Sequence, residues 1–208
     1  MAAAFEVVDR EGLAEFSTRK LAAALGCEAM SIYHHYPSKA HLLDAMLDQI
    51  YAAIAPPPEG TAFIESQRLW AHAYRAAALL HPGFFIHMSI HRTNTRVALG
   101  WLNRMIGDYR RAGFSDRDAA HYFRIFGYFI IGAVLDETLG YSRGPSAAEP
   151  VPHDEMSANF PHVLAAGPHF AKDQWERIFA LGLDAMLGSL ERAFVALLPM
   201  PPLPAPPP

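Results

Sequence analysis

From Leu42 to Ile54 the large apolar side chains stand three or four residues apart: Leu42, Leu43, Met46, Leu47, Ile50 and Ile54. That spacing puts them on one face of an α-helix and cannot line one face of a strand. The period returns over about residues 61–80, 83–91, 94–112, 115–139 and 172–198. No alternating strand pattern of any length appears, and no internal repeat. The chain is therefore expected to be all-α. Proline sets the breaks. Of 17 prolines, three stand at 56–58 and seven among the last ten residues. Pro56-Pro57-Pro58-Glu59-Gly60 cannot continue a helix. Residues 55–60 thus read as a linker between a unit of 1–54 and one of 61–198. Residues 199–208 read as an extended, solvated polyproline tail. Residues 141–170 hold five prolines and two glycines, and read as a long loop with one helical turn near 160–165.

Composition narrows the class. A chain of 208 residues with 51% hydrophobic and 18% charged residues can bury a sizeable core. One cysteine, Cys27, excludes an internal disulfide and a multi-cysteine metal site, and suits a reducing, cytoplasmic setting. The longest apolar runs, such as 128–135, fall far short of the ~20 residues that cross a bilayer, and no signal peptide is read. No membrane partner is expected. A net charge of −4 excludes a protein that coats nucleic acid generally, but not a local DNA-reading surface. No glycine-rich phosphate loop and no His-Glu-x-x-His motif is present.

The first 54 residues are built of short helices. A brief one carries Phe5, Val7 and Val8 and stops near Gly12. Ser17 can cap a second, which ends at Gly26. A third spans about 28–35, and Ser38 can cap a fourth that runs to Ile54. Two short helices joined through a glycine and followed by a longer support are the arrangement of a helix-turn-helix. Leu21, Leu25 and Ile32 are expected to hold the pair from below. Ser31, Tyr33, His34 and His35 are expected to face outward. Cys27, in the turn, reads as a small buried residue.

These segments resemble the tetracycline-repressor (TetR) family of transcriptional regulators. The resemblance rests on Phe5-Glu-Val-Val-Asp-Arg-Glu-Gly12, Ser17-Thr-Arg-Lys-Leu-Ala-Ala-Ala-Leu-Gly26, Ser31-Ile-Tyr-His-His-Tyr36 and Lys39-Ala-His-Leu-Leu-Asp-Ala45. Gly113-Phe-Ser-Asp-Arg-Asp118, Gly132-Ala-Val-Leu-Asp136 and Phe179-Ala-Leu-Gly-Leu-Asp184 resemble the C-terminal part of its tetracycline-responsive branch. The resemblance implies an all-helical homodimer, with an N-terminal helix-turn-helix domain for a double-stranded DNA operator and a C-terminal domain for a small-molecule effector and for dimerisation. It requires no cofactor. Carried over by position, Thr18 and Arg19 would meet phosphate and a base edge, with Arg19 matched to guanine. Ala29, Met30 and Ser31 would stand at the start of the reading helix, and Tyr33, His34 and Lys39 would hold the DNA backbone. Tyr36 would be core. Residues 1–50 carry four Lys/Arg against seven Asp/Glu, so phosphate attraction depends on a few placed cations.

The second unit has the side chains of a ligand cavity. Trp70, Tyr74, Phe84, Phe85, Met88, Trp101, Met105, Tyr109, Phe123, Phe126 and Tyr128 exceed what a narrow bundle seam needs, and histidines are interspersed among them. Phe84, His87, Met88, His91, Trp101, Met105, Phe126 and Asp136 are the candidate effector contacts. His87 and His91 stand four apart, so a helix places both imidazoles on one side. The resemblance assigns to Asp136 the place of a carboxylate that helps hold a drug-bound magnesium. The branch's His-x-Gly-Thr-Arg stretch is absent, the local text being His87-Met-Ser-Ile-His-Arg92. A bulky, largely apolar effector is therefore expected ahead of a metal chelate. Two rival readings are a small-molecule-binding protein with lost or weak DNA binding and, behind it, a metal-dependent hydrolase using His87, His91 and Asp136. The dimer is expected to form through 115–139 and 172–198 as a four-helix bundle, using Ile125, Phe129, Leu183, Leu187 and Leu190.

Overall fold

The fold is a computed structural model that describes residues 1–91, 94–139 and 149–198. The polyproline segment 199–208 and most of the first third of the expected loop lie outside the described residues. Among those described there are eleven α-helices and no strand. The first four are α1 (Ala2–Glu11), α2 (Thr18–Leu25), α3 (Ala29–His35) and α4 (Lys39–Ala53). The next four are α5 (Phe63–Leu80), α6 (Pro82–Ile90), α7 (Arg96–Arg111) and α8 (Asp116–Leu139). Then come α9 (His153–Asn159), α10 (Pro161–Ala166) and, after two short 3₁₀ turns, α11 (Trp175–Val195).

The starts and stops follow local chemistry. Ser17, Ser38 and Thr95 each accept a backbone N–H of the helix they precede, which satisfies one of its free donors. Ser115 does the same for α8, and its hydroxyl also donates to Asp118 at 2.7 Å. That contact holds the Asp118 carboxyl below its usual range, as Arg117 also does. Gly26 ends α2 at φ +66°, a left-handed conformation that a side chain resists.

The expected loop is more ordered than its prolines imply. The turn near 160–165 is α10, and a further helix, α9, precedes it. The physical reason is position. Pro161 stands at the first helical position of α10, where its missing N–H costs nothing. Pro152 stands just before α9, whose first turn carries Asp154 and Glu155 at the positive end of the helix dipole. Neither helix buries a residue within the chain.

The core of the body lies between α5, α7, α8 and α11. Trp70, Phe84, Phe85, Met105, Tyr109, Ile130, Phe179 and Leu183 are almost wholly buried. Leu183, Leu187 and Leu190, expected at a dimer seam, instead fill this internal core at 0%, 1% and 3% exposure. They lie on the side of α11 that meets α5 and α8. Ionic contacts tie the same helices. Arg75 on α5 donates to both carboxylate oxygens of Glu137 on α8, at 2.9 and 3.1 Å, and to Glu176 on α11 at 2.5 Å. Its guanidinium lies 4.5 Å from the centre of the Phe179 ring. Trp70 donates to Asp108 at 2.8 Å, which joins α5 to α7.

Arg75 and Glu137 are 12% and 5% exposed, so removing one partner strands a charge in the interior. Arg75→Ala should cost about 3–5 kcal/mol of unfolding free energy. Combining it with Glu137→Leu should recover a large share of that loss, as read from urea unfolding curves.

Candidate functional site

Two surfaces carry the chemistry: the outer face of the first three short helices, and a cavity in the body. One helix, α6, lies between them.

On the first surface, Ile32, Leu21 and Phe16 point into the core and turn the rest of α3 outward. Met30 is 62% exposed and Tyr33 39%, with Ser31, His34 and His35 also open to solvent. Ala29 is half-buried and Arg19 exposed. Thr18 differs from the expected contact residue: it is buried, and its hydroxyl shares a 3.0 Å hydrogen bond with the Tyr33 hydroxyl. It positions Tyr33 across the two helices. Lys39 is half-buried and donates to the Phe16 carbonyl at 2.6 Å, which fixes its ammonium at the start of α4. Tyr36 is half-buried. Leu25, expected inside, is 52% exposed, because it is the last residue of α2 and nothing covers it. Cys27 is exposed, not buried, since the turn runs over the surface.

The charges sort themselves. Lys20 pairs with Glu11 at 2.9 Å and Glu15 at 3.6 Å. The hydrogen bond that Lys20 donates to Glu11 raises the affinity of Lys20 for its proton, while those that Glu11 accepts from Arg10 and Lys20 lower its own. Lys20 is thereby neutralised. Arg19 forms no ion pair among the described residues, and Lys39 is held by the Phe16 carbonyl with its ammonium 5.6 Å from the centre of the Phe16 ring.

The cavity has a volume of about 590 Å³. Of the expected effector contacts, Met88, His91, Trp101, Met105 and Phe126 line it. Phe84, His87 and Asp136 do not. Phe84 is fully buried and packs edge-on against Phe5 of α1, with ring centres 5.6 Å apart. His87 lies behind the lining residue His91, stacked on it at 4.3 Å, and its Nε2 is buried without a hydrogen-bond partner among the described residues. Asp136 lies further along α8. No group of three His, Cys, Asp or Glu residues that could hold a metal occurs among the described residues.

Sequence reasoning missed Tyr51 and Arg124, which also line the cavity. Tyr51 had a signal. Asp44, Asp48 and Tyr51 stand at i, i+4 and i+7, so α4 has a second stripe beside its apolar one. Each member meets the body. Asp44 lies 3.4 Å from His91 Nε2, Asp48 accepts from the Thr95 hydroxyl, and the Tyr51 ring is 5.1 Å from that of Trp101.

The other end of α6 is held by α1. Asp9 accepts from the Gly83 backbone N–H at 3.0 Å and lies 3.4 Å from His81 Nδ1. Phe5 stacks on the His81 ring at 3.9 Å. The approach is so close that a Cβ at Gly83 would lie 2.8 Å from the Val8 carbonyl oxygen and 2.9 Å from the Asp9 Cα. Thus α6 carries the cavity residues Met88, Ser89 and Ile90 while it touches both α1 and, through His91, α4.

Comparison with known proteins gives consistent matches. Residues 1–46 match the model described as bacterial regulatory proteins, tetR family, and residues 55–193 match the tetracyclin repressor-like C-terminal domain. The class D tetracycline repressor protein of Escherichia coli is 27% identical over 204 residues, covering 94% of this chain and 89% of that protein. The HTH-type transcriptional repressor DrrR1 of Streptomyces coeruleorubidus is 48% identical over 48 residues, 23% of this chain and 18% of that one. Among solved structures, a "possible TetR family transcriptional regulator" from Streptomyces coelicolor A3(2) superposes with a TM-score of 0.75 at 25% identity, covering 92% of this chain and 97% of that one.

Burial lowers the pKa of His87, and the neighbouring His91 and Lys39 lower it further, while Asp44 acts in the opposite sense. The folded state therefore favours neutral His87, whereas the unfolded chain binds the proton at the ordinary value. The stability this group contributes is present above the ordinary histidine pKa of about 6.5 and is lost as pH falls below it. Thermal unfolding followed from neutral pH to about pH 5 should show a falling midpoint, with a shallower fall in His87→Phe.

Proposed function

Because the chain belongs to the tetracycline-repressor family of bacterial regulators, we propose that it represses transcription as a homodimer on a pseudo-palindromic operator and leaves it when a small, largely apolar effector fills the cavity. It is a DNA-binding regulator and not an enzyme. Residues 1–54 form the reading head, 55–60 the linker, 61–198 the effector and dimerisation domain, and 199–208 a tail. The protein works in the cytoplasm, where its operator is. No helix among the described residues is long and apolar enough to cross a membrane.

One observation carries the reading: α6 contributes to the cavity wall and grips the head at both of its ends. An effector that fits the cavity better when α6 has shifted must shift α1 and α4 with it. Release then follows from its differential affinity for the two states. On DNA, Arg19 reads a guanine edge, and Ala29, Met30 and Ser31 face bases at the start of α3. Tyr33, His34 and Lys39 hold phosphates, with Thr18 fixing the Tyr33 hydroxyl. The two heads of a dimer would meet successive major grooves, ~34–36 Å apart.

The dimer face is the outer side of α8 and α11. Ile125 is 49% exposed, Ile178 50% and Leu181 61%, and a bundle with a second copy would cover them. Light scattering should return twice the chain mass at micromolar concentration. Ile125→Asp with Leu181→Asp should return a single chain.

On an operator selected from a random duplex library, Lys39→Ala should reduce the salt slope of binding by ~1 without changing sequence preference. Arg19→Ala should cost ~1–3 kcal/mol on that operator and relax preference at one base pair. Fluorescence anisotropy across a salt series separates the two. A Lys39→Ala protein with an unchanged slope would remove that residue from the phosphate contacts.

A further inference from the structure

The cavity wall is uneven in charge. The rings of Tyr51, Tyr74, Trp101 and Phe126 make its apolar faces, and among the described residues no aspartate or glutamate lines it. Among those residues its one permanent charge is Arg124 on α8. The Arg124 Nε donates to the Tyr128 hydroxyl at 3.2 Å, and the guanidinium carbon lies 5.2 Å from the Tyr128 ring centre. This contact occupies Nε and leaves the two terminal NH₂ groups, with their fork geometry, unused. Arg124, like Arg19, Arg96, Arg104, Arg177 and Arg192, forms no ion pair among the described residues, and of these arginines it is the one that lines this cavity. The cavity thus presents a cation with spare donors beside flat apolar walls, with no carboxylate among the described lining residues.

We propose that the effector is a ring-bearing organic anion, an aromatic or polycyclic skeleton with a carboxylate, phenolate or sulfonate, and that Arg124 is the residue that selects for the charge. The proposal rests on the reading of this cavity as the effector site. The rings of the effector lie against Trp101 and Phe126, and its acid group takes the free NH₂ donors of Arg124. Arg124 stands at the solvent-open edge of the cavity, so the strength of that pair comes from charge assistance and the fork geometry of the two NH₂ groups. A cation, or a ligand carrying a metal ion, meets Arg124 as a like charge.

The test uses two fluorescent probes with one ring system: 8-anilino-1-naphthalenesulfonate, which is anionic, and N-phenyl-1-naphthylamine, which is neutral. Each is titrated against the full chain. The wild type should bind the sulfonate more tightly by roughly ten- to hundredfold. Arg124→Gln should weaken the sulfonate alone, bringing the two affinities within about threefold. Arg124 is exposed, so the substitution leaves the fold intact. Gly127→Phe provides the control, because Gly127 lines the cavity and a Cβ there meets nothing within 4 Å. It should abolish binding of both probes.

Equal affinities in the wild type, an unchanged ratio in Arg124→Gln, or equal loss of both probes in that variant would overturn the charge assignment while leaving the cavity as a binding site. Binding of both probes that Gly127→Phe does not touch would overturn the cavity itself, and the charge assignment with it.

Discussion

The arrangement depends on α6 being gripped at its two ends by different helices of the N-terminal unit. At one end Asp9 of α1 takes a backbone N–H of the first turn, at a contact so close that only glycine fits. At the other, His91 faces Asp44 of α4. A hydrogen bond to a charged group contributes about 1.5–3 kcal/mol. The head meets the body through these contacts, through the Phe5, His81 and Phe84 rings, and through α4 against α7, where Tyr51 meets Trp101 and Asp48 accepts from Thr95. The differential affinity of a ligand for two states has to act against that whole set.

The body is stiffened in a different way. Arg75 gathers α5, α8 and α11 around one guanidinium. Burial works against its charge, but the hydrogen bonds it donates to Glu137 and Glu176 prevail and hold its proton more firmly than usual. Glu176 is in turn held below the ordinary carboxylate range by Arg75. The cavity is thus framed by these ion-paired helices on one side and, on the other, by α6, which packs on α1, α5 and α8.

Helices were legible wherever apolar spacing and a capping side chain agreed. Ser17, Gly26 and Ser38 all mark ends that the structure keeps. Prolines misled where they open a helix, as Pro161 does, since composition records their number but not their position in a turn. The cavity was legible as a set of aromatic residues but not as a place. Phe84 and His87 share a helix with Met88, yet Phe84 packs on Phe5 of α1 and His87 on the rings of Phe84 and His91, and neither lines the cavity. Leu183 and its neighbours show the same limit: periodicity identifies an apolar face without saying whether the same chain covers it. Arg124 had no sequence signal, because nothing in the local text says that its neighbours lack a carboxylate.

The second stripe of α4 has a geometric consequence. Tyr51, at the cavity, and Lys39, at the head, are parts of one straight helix and stand about 18 Å apart along its axis at 1.5 Å per residue. A lever of that length converts angle into distance. A tilt of about 5° about the Tyr51 end carries Lys39 through about 1.6 Å, several times the spread of lengths that a hydrogen bond tolerates. A displacement at the cavity too small to repack the core is thus magnified at the far tip of the arm.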